Sequence, residues 1–451
     1  MIQQFYNRTE ELLFLEKQFA MQTSSLVVLY GRRRVGKTEL IKKFLSTKEG
    51  IYYLFDEQRE FVNIAGLQKK IADFFSNSLL EKAELSNWYD LFAAFVGLKG
   101  KKKLVLALDE FPYLMKQNDA IPSIFQKIWD ELLREANIML ILCGSSISMM
   151  EKNVLSEKSP LYGRRTGQWK VEPFTFLESQ VLLKAKNSED AVCAYALFDG
   201  IPLYLDKYDR NKSIATNVEE SIAKKGEYLY EEAEFLLRQE FREPANYFLI
   251  LKAISFGKTK FGDIVNYTKL DKTLCSKYLD NLIIIKVIEK KHPVTTKKEN
   301  TRDARYYITD NYLKFWFSQI YPNKMFIEEG TFSFSVIKEQ FSKHVSFVFE
   351  EVARQILKQT YFAYHMGSWW DKNDEIDIVG ISQDRKILFG EVKWQEKVNG
   401  EKIIDLLKEK AQKVDWLKDE REETYLVVAK SFSRKVKGCY DFDDIDKMMK
   451  K

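Results

Sequence analysis

The first third of the chain carries four short apolar runs, each ending in a polar break. They are "LVVLY" (residues 26–30), "IYYLF" (51–55), "KLVLALDEF" ending in Asp109 and Glu110, and "IMLILCGSS" ending in Ser145 and Ser146. Apolar runs of this length bounded by turn signals predict buried strands. From about residue 245 the period changes. "NYFLILKAISFG", "KFGDIVNYTKL" and "DKTLCSKYLDNLIIIKVI" predict three amphipathic helices, the last opening on Asp271 as its cap. "VIEKK" and "ARYYITD" predict a hairpin around a polar loop. The aromatic run "YYITDNYLKFWFSQIYPN" has the spacing of a buried helix that "YPN" ends. In the last third, "TFSFSVIKEQFSKHVSFVFEEVARQIL" predicts a long amphipathic helix. A short strand follows at "FAYHMGSWW", then two strands in "EIDIVGISQDRKILFGEVKW", a charged helix in "GEKIIDLLKEKAQKVDWLK" and a strand in "TYLVVAKSF".

Composition bounds this picture. With 451 residues the chain is long enough for two to four domains. Its hydrophobic fraction of 45% and charged fraction of 30% are those of a soluble globular protein. The 71 Lys+Arg against 66 Asp+Glu leave a net charge of only +5, so any basic surface must be local. The hairpin supplies one. Lys286, Lys290, Lys291, Lys297, Lys298, Arg302 and Arg305 face only Glu289, Glu299 and Asp303, an excess of four. Four scattered cysteines with no CxxC, and three histidines that do not cluster with them, argue against a zinc site or disulfide framework and fit a reducing cytoplasm. The start has no apolar leader, and no apolar run is long enough to span a bilayer, so a cytoplasmic, non-membrane protein is expected.

"SSLVVLYGRRRVGKTELIKKFL" places GxxxxGK[ST] between a strand and a helix, the context in which this spacing binds nucleotide phosphates. Gly31 and Gly36 let backbone N–H groups wrap phosphate oxygens at a helix N-terminus, so Gly31, Arg32, Arg33, Arg34, Val35, Gly36, Lys37, Thr38 and Glu39 are the candidate ATP-binding residues. Lys37 reaches the β- and γ-phosphates, and Thr38 holds Mg²⁺. Two acids at the end of a buried strand are costly unless something cationic sits there. Asp109 suits Mg²⁺, and Glu110 suits the base that orients the attacking water. Ser145 reads either as a polar sensor of the γ-phosphate or, with Ser146, as a helix cap. In "SPLYGRRTGQWKVEPF", Arg164 and Arg165 read either as a surface pair or as the source of an arginine finger toward a neighbouring subunit of a homo-oligomer.

In order, "FYNRTEELLFLEKQF", "LYGRRRVGKTEL", "LALDEFPYL", "LCGSSISMM", "SPLYGRRTGQWKVEPF" and "GIPLYL" resemble the prokaryotic "archaeal ATPase" family, a branch similar to the AAA-type P-loop ATPases. The resemblance implies a parallel sheet with the acidic strand not adjacent to the P-loop strand. It also implies Tyr6, Asn7 and Arg8 near the adenine, Arg164 as the family's glycine-turn arginine, and a helical lid beyond about Leu177. "GIPLYL" falls in that lid but holds no arginine, so the family's lid sensor has no match inside it.

Three helices and a basic hairpin form a winged-helix pattern, whose wing either straddles a phosphate backbone of DNA or makes protein contacts. The last third resembles the core of a PD-(D/E)XK nuclease. Glu350 on the long helix, Asp377 on one strand, and Glu391 and Lys393 on the next supply the acids and lysine of that pattern. Mg²⁺ takes a few hard carboxylate oxygens plus waters, and cross-strand acids come within about 5 Å. Asp377 and Glu391 are therefore the candidate metal ligands, with the Val392 carbonyl, while Lys393 either orients the attacking water or offsets charge on the pentavalent phosphate, and Glu350 completes the site. His344 and His365 read as packing or surface residues, and Trp369, Trp370 and Trp394 as packing around the hairpin. "GSWWDKNDEIDIVG…GEVKW" also resembles the domain of unknown function that follows this ATPase in many relatives.

The expected fold is α/β. A P-loop parallel-sheet ATPase core spans 1–176, a helical lid 177–243, a winged helix 244–312, a linker 313–335, and an α/β restriction-endonuclease-like domain 336–451. The expected function is a Mg²⁺-dependent, AAA-type ATPase acting on DNA, with ATP and Mg²⁺ as cofactors. The alternatives are an ATP-gated DNA-binding regulator and a protein-signalling switch, neither of which cleaves.

Overall fold

The structure, a computed structural model, describes residues 6–296 and 303–449. Lys297, Lys298, Glu299 and Arg302 of the expected wing lie outside the described residues. The chain divides into two compact units, Met1–Glu172 and Pro173–Lys451.

The first unit is built on five strands: β1 (Ser25–Tyr30), β2 (Gly50–Leu54), β3 (Leu104–Asp109), β4 (Ile138–Gly144) and β5 (Gly167–Lys170). Their order is β2-β3-β4-β1-β5, and every pairing is parallel. Each residue of β1, β3 and β4 is buried, because helices cover both faces, and that is why these strands read as unbroken apolar runs. β4 separates the acidic strand β3 from the P-loop strand β1, as the family resemblance implies. β5 is polar and half exposed, so no apolar run announces it. Leu15, Val27, Leu40, Val105, Ile141 and Val171 share one core beneath the loop that follows β1.

In the second unit, helices Ala245–Ser255, Phe261–Thr268 and Lys272–Ile284 precede an antiparallel pair, β6 (Ile288–Lys291) and β7 (Arg305–Ile308). Asp271 caps its helix by accepting from the N–H groups of Thr273 (2.8 Å) and Leu274 (3.3 Å). The aromatic run is helical and buries Tyr312 and Trp316. It does not stop at Tyr321-Pro322-Asn323, which forms a 3₁₀ turn and leads on into Lys324–Glu328. A proline in the first turn of a helical segment removes only a donor that has no partner there.

The 23-residue helix Lys338–Thr360 then packs on a mixed sheet. Its strands are β8 (His365–Trp370), β9 (Glu375–Ile381), β10 (Lys386–Lys393), β12 (Glu422–Ala429) and β14 (Cys439–Tyr440), in the order β14-β12-β10-β9-β8. Here β8, β9 and β10 run antiparallel, and β10, β12 and β14 parallel. β11 (Val398–Asn399) and β13 (Phe432–Arg434) form a separate small pair. Trp369 lies in the core with Ile376, Phe389 and Leu407, and Trp394 packs on Phe349 and Phe442, so both act as packing. All four cysteines are free and buried, and no described helix is long and apolar enough to cross a membrane.

Gly200 opens the "GIPLYL" segment with its backbone laid on that of Phe174, whose N–H donates to the Gly200 carbonyl (2.7 Å). A Cβ at Gly200 would overlap the Phe174 carbonyl, and neither backbone has a rotamer to yield. Gly200→Ala is expected to cost about 1–3 kcal/mol or more in the second unit. Scanning calorimetry should show the transition of Pro173–Lys451 lowered and that of Met1–Glu172 unmoved; an unchanged thermogram would disprove the close contact.

Candidate functional site

In the first unit, the loop after β1 is shaped by residues with positive φ. Gly31 (φ 153°), Arg34 (φ 70°) and Gly36 (φ 95°) turn the chain from strand into the helix Lys37–Leu45. A side chain at Gly31 would run into the Val171 carbonyl, so only glycine fits there. The loop closes on its own lysine: Lys37 Nζ donates to the carbonyls of Gly31 and Arg32, both at 2.9 Å. Arg8 donates to the Val35 carbonyl (2.7 Å), which ties the segment expected near the adenine to the P-loop.

Thr38 and Asp109 come together. Thr38 Oγ1 donates to Asp109 Oδ2 at 2.7 Å, and Tyr52 donates to the same oxygen at 2.9 Å. Burial, and then the Asp109 carboxylate, hold the Tyr52 hydroxyl far above its usual pKa. Glu110 sits in the left-handed region (φ 53°) and accepts from Ser145 Oγ at 2.7 Å. Ser145 therefore serves Glu110, and Ser146 leads the next helix without a side-chain cap. Arg33 turns to Ser145 (3.3 Å) and Tyr113 (2.5 Å). Glu39 forms an exposed pair with Lys42 at 3.2 Å. Arg164 is held by Asp130 through Nε (3.0 Å) and a second guanidinium nitrogen (2.9 Å), while Arg165 donates to the Leu155 carbonyl at 2.9 Å. A finger role for Arg164 requires the Asp130 pair to open. Tyr52 and Tyr113 went unread in the sequence, because a tyrosine in a strand or helix gives no sign of which acid or base it will meet.

In the second unit, β9 and β10 pair Ile378 with Gly390, which sets Asp377 in register with Glu391. Asp377 Oδ2 accepts from the Val392 N–H at 2.8 Å. Lys393 Nζ lies 3.1 Å from Glu391 Oε1 and 4.0 Å from Asp377 Oδ2. Lys410, from the helix Gly400–Ala411, donates to the same Glu391 Oε1 at 2.8 Å. The other oxygen, Glu391 Oε2, is buried without a partner, and the residue is only 7% exposed. Glu350 comes from the helix Lys338–Thr360. Burial raises its pKa and the nearby Asp377 raises it further; Asp377 is itself raised by burial and then by Glu391. Burial alone would lower Lys393, but Glu391 and Asp377 outweigh it and hold the ammonium charged.

Among the described residues, no three His, Cys, Asp or Glu side chains form a metal cage. Two carboxylates with a free inward oxygen fit Mg²⁺, which takes one or two protein carboxylates and keeps its waters. Lys410 was not read from the sequence. Its only sign is its place three residues after the buried Leu407, at the margin of the helix's apolar stripe. His344 is buried, its Nε2 2.7 Å from the Ala196 carbonyl, and His365 is exposed on β8.

A parallel sheet, a glycine loop opening a helix at Lys37-Thr38, and paired acids two strands away define a P-loop ATPase domain. A family model described as an ATPase domain predominantly from Archaea matches residues 5–208. An uncharacterized protein of Methanocaldococcus jannaschii is 36% identical over 450 residues, which are 97% of this chain and 99% of that one. The chain belongs to this archaeal ATPase family. A 45-residue stretch, 10% of the chain, is 60% identical to an uncharacterized ATP-binding protein of the same organism and covers 76% of that protein. A Walker-type ATPase of Pyrococcus abyssi shares the fold, with a TM-score of 0.52 at 24% identity over 69% of this chain and 96% of that one. A second family model, described as archaeal and bacterial proteins of unknown function, matches residues 316–413, the stretch that holds Glu350, Asp377, Glu391 and Lys393.

The raised Glu350 carboxyl makes the second unit pH-sensitive. A carboxyl that holds its proton more tightly when folded contributes full stability below its unfolded pKa, about 4.3, and loses it as pH climbs through the raised value. His344, pushed down to about 3 by burial and by Lys314, acts in the opposite sense, but only between that value and about 6.5. Between about pH 6.5 and 8, the unfolding temperature of Pro173–Lys451 is therefore expected to fall as pH rises; above about 8 the lowered Lys314 ammonium acts in the opposite sense. Glu350→Gln should flatten that slope and raise the unfolding temperature at about pH 8. Circular-dichroism melts in EDTA test this, and parallel wild-type and variant curves would count against it.

Proposed function

We propose that this chain is a Mg²⁺-dependent ATPase acting on DNA, in which nucleotide state governs a winged-helix segment and a nuclease-like site. The 2.7 Å contact between Thr38 and Asp109, beside Lys37, supports the first half, since it joins the hydroxyl and carboxylate that would hold Mg²⁺. Lys37 would exchange its loop carbonyls for the β- and γ-phosphates, and Glu110, poised by Ser145, would orient the attacking water. The buried free oxygen of Glu391, beside Asp377 and Lys393, carries the second half. Asp377 and Glu391 would hold the metal, Lys393 would orient water against a phosphodiester, and Glu350 would complete the site. Bound metal at either place supplies positive charge to phosphate oxygens. The division of the second unit into lid, winged helix, linker and nuclease-like domain belongs to this proposal.

One observation favours a second reading, a switch toward a protein partner. On the described hairpin, Lys291 is paired with Glu289 (2.8 Å) and Arg305 with Glu375 (2.9 Å), which leaves less free charge for a duplex backbone.

For the ATPase, Lys37→Ala is expected to lose nucleotide binding by calorimetry. Glu110→Gln should bind ATP yet release phosphate at least about a hundredfold more slowly. Wild-type turnover that rises with protein concentration, and does not in Arg164→Ala, would support a finger in trans. Glu110→Gln turning over at the wild-type rate would refute the base assignment.

For the nuclease-like site, Asp377→Ala and Glu391→Ala are each expected to abolish Mg²⁺- or Mn²⁺-dependent DNA nicking by losing metal. Lys393→Ala should keep the metal but lose rate. ATP hydrolysis without DNA should be unaffected in all three. Nicking that survives the Asp377→Ala/Glu391→Ala double variant would expose a contaminating nuclease, and metal titration that finds only the P-loop site would remove the second site.

A further inference from the structure

The second unit contains a cavity of about 790 Å³, walled by the β6–β7 pair, the helix Lys338–Thr360 and the start of the aromatic helix at Asn311. Three cation–aromatic pairs line it. Lys291 lies over the Tyr307 ring (5.4 Å), Arg305 over the Trp370 ring (4.6 Å) and Lys314 over the Phe347 ring (4.3 Å). Two of the pairs ride on the hairpin whose basic residues suggested a wing. Glu350 stands in the same wall.

We propose that this cavity holds nucleotides of an unpaired nucleic-acid strand and leads them to Asp377 and Glu391, an inference that rests on the nuclease-like reading of that site. Alternating cations and flat rings serve a strand whose phosphates and bases are both exposed. A paired duplex keeps its bases stacked inside, so it offers an aromatic-lined hollow nothing to stack until a base leaves the helix. The volume is that of a small-ligand pocket, about 300–1,000 Å³, which admits a nucleotide or two. Lys314 carries the argument furthest. Among the described residues its ammonium is in no hydrogen bond and no ion pair; it lies over the Phe347 ring, with the Glu350 and Glu289 carboxyls acting on it only from farther off. Burial pushes its ammonium down to about 8, a cost that an arriving phosphate would relieve. Arg305 is already matched by Glu375 and serves as a flat stacking surface instead. The bases, rather than the phosphates, would meet Glu350 and Glu375, which accept hydrogen bonds from base N–H groups, the N3–H of thymine included.

The test is fluorescence anisotropy in EDTA with saturating ADP, so that neither cleavage nor the P-loop contributes. The probes are a fluorescein-labelled oligothymidine of about a dozen nucleotides and the duplex it forms with its complement. The single strand is expected to bind about tenfold or more tightly than the duplex, and Lys314→Met and Tyr307→Leu to weaken it about tenfold each. ATP hydrolysis should stay intact in both. Lys314→Met should not lower the unfolding temperature, because it puts an apolar side chain where a partly buried ammonium has no ion pair, so a loss of binding there is not a loss of fold. Equal or tighter binding of the duplex, or unchanged strand binding by Lys314→Met, would overturn the assignment. So would thymidine monophosphate displacing the strand at the strand's own concentration, which would make the cavity a site for free nucleotides. Strand binding without nicking in Mg²⁺ keeps the cavity and removes cleavage; duplex nicking without strand binding does the reverse.

Discussion

A carboxylate taken out of water must be met by donors or cations, and both halves of this chain are arranged around that requirement. In the first unit, β3 is buried along its whole length and delivers Asp109 and Glu110 at its end. Thr38 and Tyr52 meet one acid, and Ser145 meets the other. Those donors come from the P-loop helix, from β2 and from the end of β4, so the order of the sheet is also the order in which the acids are satisfied. In the second unit the same demand falls on Asp377 and Glu391, and it is answered by a backbone N–H, Lys393 and Lys410.

Hydrolysis would require the answer in the first unit to be reversible. Lys37 is satisfied by two loop carbonyls, neutral partners that an anionic phosphate would outcompete. Glu110 keeps a left-handed backbone that costs of order 1 kcal/mol for a residue with a side chain. The Phe111 N–H, donating to the Cys143 carbonyl at 2.9 Å, clamps the chain just after it. The carboxylate is thereby aimed at Ser145 from the neighbouring strand and away from Asp109, which keeps two acids of adjacent sequence in separate tasks.

What was legible in the sequence follows from this physics. β1, β3 and β4 are buried on both faces, so they read as apolar runs, and their terminal charges stand out because a dry strand has no other use for them. Asp377 and Glu391 were legible for the same reason, and Trp369 and Trp394 as packing. β5 was not, because a half-exposed edge strand of "GQWK" carries no apolar signature. Tyr52 and Lys410 were not, because each finds its acid through tertiary geometry that spacing does not encode. "YPN" misled because proline ends a helix only where an N–H is needed, and a fresh turn starts there.

Buried ions in the second unit show that the fold can match a charge completely when the charge is structural. Arg421, with its side chain 1% exposed, donates to Glu423 at 2.7 Å and to the carbonyls of Val414, Trp416 and Ala411 at 2.6, 2.9 and 3.0 Å. Removing either side of such a cluster would strand the other, so nothing in it is free to bind anything else. Glu391 Oε2 and the Lys314 ammonium break that pattern within the same unit: the first has no donor although Lys393 and Lys410 pair with its carboxylate through Oε1, and the second has no ion pair. Each is costly as it stands, and each lies where a ligand would offset the cost: a cation beside Asp377, a phosphate beside Phe347. The long helix Lys338–Thr360 links the two places. Its Glu350 lines the cavity of Lys314 and has its pKa raised by burial and then by Asp377, so filling either place would change the electrostatics of the other through a single side chain. A substrate phosphate and a metal ion arriving together would thus satisfy the unpaired Glu391 oxygen and the Lys314 ammonium at once, whereas either alone satisfies one.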